Sequence, residues 1–232
     1  MSQQQYRWSG LAGIAGGALF IFVLVFVGVI VGADASISAF PDVRAGRTVE
    51  NTLYLAVVLM WIAPFLALGR ALHEMSPAGA LYGSVLGVLG LGVLAAGALP
   101  HVASVPIADL YHAPGSDLET LAAAWQVNQG IMNMLLVTGL AILPVGVVGL
   151  GMAMLGAPGF GTRIGRVSIT LGLVGIAAAV VLLVDPLSPV AVIGFLALIA
   201  FNVVVGWRLY SLSRGRVERT APTAMVTGRS AG

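Results

Sequence analysis

Polar and apolar positions along this 232-residue chain fall in blocks, without a sustained helical or strand period. Six blocks are apolar all round and about 20 residues long, the length a helix rising 1.5 Å per residue needs to cross the hydrocarbon of a bilayer. They run from Trp8 to Val31, Leu53 to Leu72, Leu81 to Leu99, within Leu121 to Leu155, Val167 to Val184 and Val190 to Leu212. A helix of a water-soluble bundle keeps one polar face, and these blocks have none. The predicted fold is all-α, a polytopic membrane helix bundle of six transmembrane helices. Residues 1–212 are expected to form one membrane domain and residues 213–232 a basic, disordered cytoplasmic tail. Two polar stretches, about Gly32 to Asn51 and Pro100 to Thr120, read as long loops on the outer side. The run Leu11 to Val31 exceeds the roughly 7–15 apolar residues of a cleavable signal, so it is expected to remain as a span despite Ala33-Asp34-Ala35 after it.

Composition sharpens this picture. The chain is 59% hydrophobic and 9% charged, where soluble domains carry about a quarter charged residues. All 11 basic residues are Arg, and there is neither Lys nor Cys. Schiff-base lysines, a phosphate-binding Walker lysine, thiolate nucleophiles and disulfides are therefore excluded. Arg7, Arg70, Arg163, Arg166, Arg208, Arg214, Arg216, Arg219 and Arg229 fall on one side of the spans with only Glu74 and Glu218. Arg44 and Arg47 fall on the other with Asp34, Asp42, Glu50, Asp109, Asp117, Glu119 and Asp185. Arginine excess marks the cytoplasmic side, so both termini are expected in the cytoplasm and the protein in the inner (cytoplasmic) membrane as a multi-pass protein. Trp8, Trp207, Tyr210 and Tyr54 lie at span ends, where aromatic rings seat at headgroups; Trp61 and Trp125 read as packing residues.

Small residues let membrane helices approach, and Gly13/Gly17, Gly83/Gly87 and Gly161/Gly165 each recur four apart. Pro64 and Pro144 lie inside spans and should bend them. Asn202 is a polar side chain deep in the sixth span and reads as an inter-helix hydrogen bonder. No span carries an ionisable residue securely at its centre, which counts against proton pumps, ion-coupled transporters and voltage sensors.

Candidate chemistry gathers on the outer side. Leu121 to Leu155 as one helix would be about 52 Å long against roughly 30 Å of hydrocarbon, so its first part must leave the bilayer. That part carries Gln126, Gln129 and Asn133 within an arc of roughly 60°, with Asn128 pointing elsewhere. The stripe faces water or headgroups, hydrogen-bonds another helix, or lines an outer ligand-binding vestibule. His101, Asp109 and His112 supply types suited to acid-base catalysis or a Zn²⁺ or Mn²⁺ site, yet their spacing matches no metal motif. They are the candidate catalytic residues, with solvated loop positions as the alternative, and no metal or cofactor is assigned.

The glycine-rich Gly13-Ile14-Ala15-Gly16-Gly17, the run Gly146 to Leu155 and Arg163-Ile164-Gly165 at the entrance to the fifth span carry a resemblance to an uncharacterised bacterial multi-pass membrane family, the domain of unknown function 4386. The likeness covers most of residues 8–212 and implies no site residues. The expected function is a non-enzymatic module that binds a lipid-like or apolar small molecule or assists a membrane partner. Two alternatives remain: an outward-facing intramembrane enzyme acting on a lipid or isoprenoid, and a small-molecule transporter or channel. Membrane lipids are the expected partners, with a membrane-protein partner or a second copy of the chain as further candidates and no nucleic acid.

Overall fold

The structure, a computed structural model, describes residues 2–31 and 36–220. Asp34 and the last twelve residues of the expected tail lie outside the described residues. The described chain forms seven α-helices: α1 Gln3–Phe26, α2 Phe40–Leu72, α3 Pro77–Ala96, α4 Ala98–Tyr111, α5 Leu118–Leu155, α6 Gly161–Val184 and α7 Ala191–Thr220. With α4 continuing α3 across a break at Gly97, they make six helices long and apolar enough to cross a membrane. The chain is a multi-pass helical membrane protein.

Local chemistry sets the helix ends. A capping box closes α1, Ser2 Oγ accepting from the Gln5 amide and the Gln5 side chain accepting from Ser2, which satisfies two otherwise orphaned donors. Pro41 and Pro77 occupy the first turns of α2 and α3, where a missing N–H costs nothing. Asp117 caps α5 by accepting from the Thr120 amide. Gly161 starts α6 at φ +79°, a conformation a Cβ would disfavour.

The helices close into a ring in which α1 packs on α2, α2 on α3, α3 on α5, α5 on α6, α6 on α7 and α7 back on α1. Both described ends lie on one face, since Gln3 Nε2 donates to the Ser213 carbonyl at 2.6 Å. This face is called the terminal face below, and the other the far face. At the ring's centre Trp61, Phe65, Leu143 and Phe201 are almost wholly buried. Large apolar side chains such as Phe22, Leu59, Leu81, Leu173 and Leu196 stand exposed around the outside, as a surface in contact with lipid requires.

The reading of two outer loops is corrected. The stretches read as outer loops are largely helical: α2 begins at Phe40, and Ala98–Tyr111 forms α4. The reason is tertiary. The far-face extension of α5 offers a wall on which α4 buries Pro100, Ser104 and Ala108, and Ile37, Phe40, Ala108 and Trp125 make a small second core there. The last helix, α7, runs past Leu212, and Ser213 within it is buried. Gly161 and Gly165 differ in their surroundings: a Cβ added at Gly161 would meet nothing within 4 Å, whereas one at Gly165 would lie 2.9 Å from the Gly151 carbonyl oxygen.

Candidate functional site

A recessed space with mixed lining lies at the far-face end of the ring. At 33 and 38 residues, α2 and α5 span roughly 50 and 57 Å, so both overshoot the bilayer and carry polar residues above its apolar part. The end of α1 widens into a π turn over Val27–Val31, and α7 begins with Val192 and Phe195 facing the same space. Together with α4 these elements enclose a cavity of about 390 Å³, within the range of about 300–1,000 Å³ typical of small-molecule sites.

The cavity has an apolar floor and a polar rim. Phe20 is the hub of the floor, with Phe195 edge-on at 5.0 Å, Trp61 edge-on at 5.3 Å and Tyr54 at 6.2 Å between centroids. Val23, Leu24, Leu136 and Val192 complete the apolar wall. The rim holds Arg47, Glu50, Asn51, His101 and Asn133.

Charge on the rim is paired. Arg47 Nη1 lies 2.9 Å from Glu50 Oε2, and the two side chains are only 18% and 16% exposed. Among the described residues they are the only formally charged ones lining the space, so that lining sums to zero when His101 is neutral, and both charges act on the imidazole. The break at Gly97 turns carbonyls toward α2: Tyr54 Oη donates to the Leu94 carbonyl at 3.1 Å and Asn51 Nδ2 to the Ala98 carbonyl at 3.4 Å. Asn51 Oδ1 is buried with no hydrogen-bond partner among the described residues.

The polar stripe of α5 converges as a surface. Gln126, Gln129 and Asn133 line a groove of about 500 Å³ with Ser36, Ile37 and Trp125. A void of about 60 Å³, room for roughly two waters, shares Trp125 and Gln129 with the groove and Arg47, His101 and Met132 with the cavity. Asn133 belongs to both groove and cavity. Asn128, which points away from the stripe, is buried and donates to the Pro100 carbonyl at 2.8 Å and to Ser104 Oγ at 3.0 Å, pinning α4 to α5.

His101, Asp109 and His112 are not brought together. All three belong to α4 or its cap, and eight helical residues separate His101 from Asp109 by about 12 Å of rise. Asp109 pairs with Arg44 at 2.8 Å in an exposed ion pair, and His112 Nδ1 lies 2.8 Å from the Ala108 carbonyl at the helix end. Among the described residues no three His, Cys, Asp or Glu side chains are grouped to hold a metal ion. Only His101 reaches the cavity.

Sequence reading missed Arg47, Glu50, Asn51 and Tyr54, because the stretch before Leu53 read as loop and Tyr54 as a headgroup anchor. The i, i+3 spacing of Arg47 and Glu50 was the available signal. Asn202 also differs, its Nδ2 donating at 2.9 Å to the Leu198 carbonyl of its own helix. No protein-family model matches the chain, and no curated protein and no solved structure matches it either. Fold and cavity define the class: a six-span helical membrane protein with an amphipathic cavity at one end.

Proposed function

We propose that the protein is a membrane module that binds a lipid-like small molecule in the far-face cavity, apolar body on the Phe20 floor and head at the Arg47–Glu50–His101 rim. The observation that carries this reading is the pairing of an apolar floor with a charge-balanced polar rim in one enclosed space. A paired rim favours a neutral, hydrogen-bonding head such as an alcohol. A carboxylate or phosphate there would lose water without meeting an uncompensated cation. Below the floor, Trp61, Phe65 and Phe201 fill the ring centre, which weighs against transport through the bundle. The scatter of His101, Asp109 and His112 weighs against the enzyme alternative. Arg7, Arg70, Arg163 and Arg166 on the terminal face support a cytoplasmic placement of that face in an inner membrane. Membership of the domain of unknown function 4386 family is part of the same proposal and rests on the glycine runs alone.

The test is labelling of the purified full chain with a photoactivatable long-chain alcohol. Crosslinks are expected on peptides carrying Val23, Leu136 and Phe195, and Leu136→Trp, which fills the space, should lower them at least tenfold. Labelling spread over the lipid-facing surface and unchanged in that variant would overturn the reading.

A further inference from the structure

A second concave surface lies at the other end of the molecule. Between the first turns of α1 and the last turns of α7 is a groove of about 500 Å³ lined by Gln4, Arg7, Trp8, Tyr210, Ser213 and Arg214, with Gln3 tying its two sides together through Ser213. Among the described residues no carboxylate lines it. Arg214 is held in place from below, its Nη2 2.6 Å from Tyr210 Oη and its guanidinium 4.7 Å from the centre of the Tyr210 ring. Its other guanidinium donors have no hydrogen-bond partner among the described residues. Arg7 forms no hydrogen bond or ion pair among the described residues. The capping box already serves the start of α1, so the attraction of the groove for an anion comes from these two side chains.

Depth identifies the anion. Trp8 and Trp207 are 61% and 65% exposed on the adjoining surface, and exposed indoles of membrane helices sit at headgroup level. The seam directly beneath is shut, since a Cβ on Gly10 would lie 2.6 Å from the Gly206 carbonyl oxygen. A ligand in the groove therefore keeps its apolar part outside the bundle, along the lipid-facing sides of α1 and α7. We propose that this groove is a binding site for the headgroup phosphate of an anionic phospholipid, held by Arg7 and Arg214. Guanidinium forks match phosphate oxygens, and a described lining with two guanidiniums and no carboxylate among its residues favours a headgroup with net negative charge over a zwitterionic one.

The experiment is native mass spectrometry of the full chain released from detergent containing phosphatidylglycerol or phosphatidylcholine. One tightly retained phosphatidylglycerol is expected, preferred at least fivefold over phosphatidylcholine. The double variant Arg7→Gln/Arg214→Gln should lose that preference while keeping its melting temperature, because both side chains are exposed. Arg163→Gln/Arg166→Gln, removing two arginines from the same face but outside the groove, should keep it. Equal losses in the two double variants would show that the arginines act only as spread-out charge and would overturn the site. Displacement of the lipid by millimolar inorganic phosphate or glycerol phosphate would assign the groove to a soluble anion and overturn the lipid assignment.

Discussion

Helices meet backbone to backbone in the terminal half of the ring and part around large side chains in the far half. A Cβ added at Gly146 would lie 2.6 Å from the Gly87 amide nitrogen and 2.7 Å from the Gly83 carbonyl oxygen, and one at Gly206 2.7 Å from the Gly10 carbonyl oxygen. At Gly28 and Gly130, toward the far face, an added Cβ would meet nothing within 4 Å. Glycine in the first half removes the spacer between backbones. In the second half the spacing is held by Phe20, Tyr54 and Phe195, and it leaves a cavity. One composition thus serves two purposes: the closed half fixes the ring, and the open half has room for a ligand.

The largest expected effect tests the closed half. Gly146→Leu must push backbone against backbone, which no rotamer change relieves, so a loss of about 3 kcal/mol or more is expected and is read as a collapse of the detergent-solubilised melting transition. Gly130→Leu, equal in composition, should melt like the parent. Similar behaviour of the two variants would remove the distinction between the halves.

Next in size is Glu50→Gln, which removes the carboxylate paired with the half-buried Arg47 charge and should cost about 1–3 kcal/mol. It also turns the rim net positive. Binding of a long-chain carboxylate relative to the matching alcohol is therefore expected to rise about tenfold, measurable by competition against the photoactivatable alcohol. An unchanged preference would separate the rim charges from head recognition.

Asn128→Leu removes the pin between α4 and α5, at a cost of about 1–2 kcal/mol. Faster hydrogen exchange confined to Ala98–Tyr111, with α6 unaffected, is the expected signature. Asp109→Ala breaks only the exposed pair with Arg44 and should cost under about 1 kcal/mol, leaving alcohol labelling intact; loss of labelling would return Asp109 to the site. The smallest effect concerns Asp117. Its carboxyl is held below the ordinary carboxylate range by the Thr120 hydroxyl and amide. A lowered folded-state pKa contributes stability that is present above the unfolded value and lost as pH falls through the folded one. Protection of the Thr120 amide should accordingly fade only in acid, and in Asp117→Ala it should be low at every pH.

Much of the fold was legible because spanning a bilayer is a local property. Each apolar run from Trp8 to Leu212 reports its own length and transfer cost, and the excess length of Leu121 to Leu155 already required a helix leaving the membrane. The stripe Gln126, Gln129 and Asn133 was legible for the same reason, since one helix sets its period. The helicity of Ala98–Tyr111 was not. Pro100 and Pro106 argue locally for a loop, and only burial against α5 and the Asn128 hydrogen bonds offset that tendency. His101, Asp109 and His112 looked like one set when only their side-chain chemistry was visible; a shared helix spread them along its axis.

The sequence by itself determined that the chain is all-α and that it has six helices long and apolar enough to span a membrane, because hydrophobic length is read one segment at a time. Only the tertiary structure decided that Val23, Arg47, His101, Leu136 and Phe195 surround one space. Those residues come from five helices, and their meeting depends on how closely the glycines of the other half let the backbones approach. No single segment contains that distance.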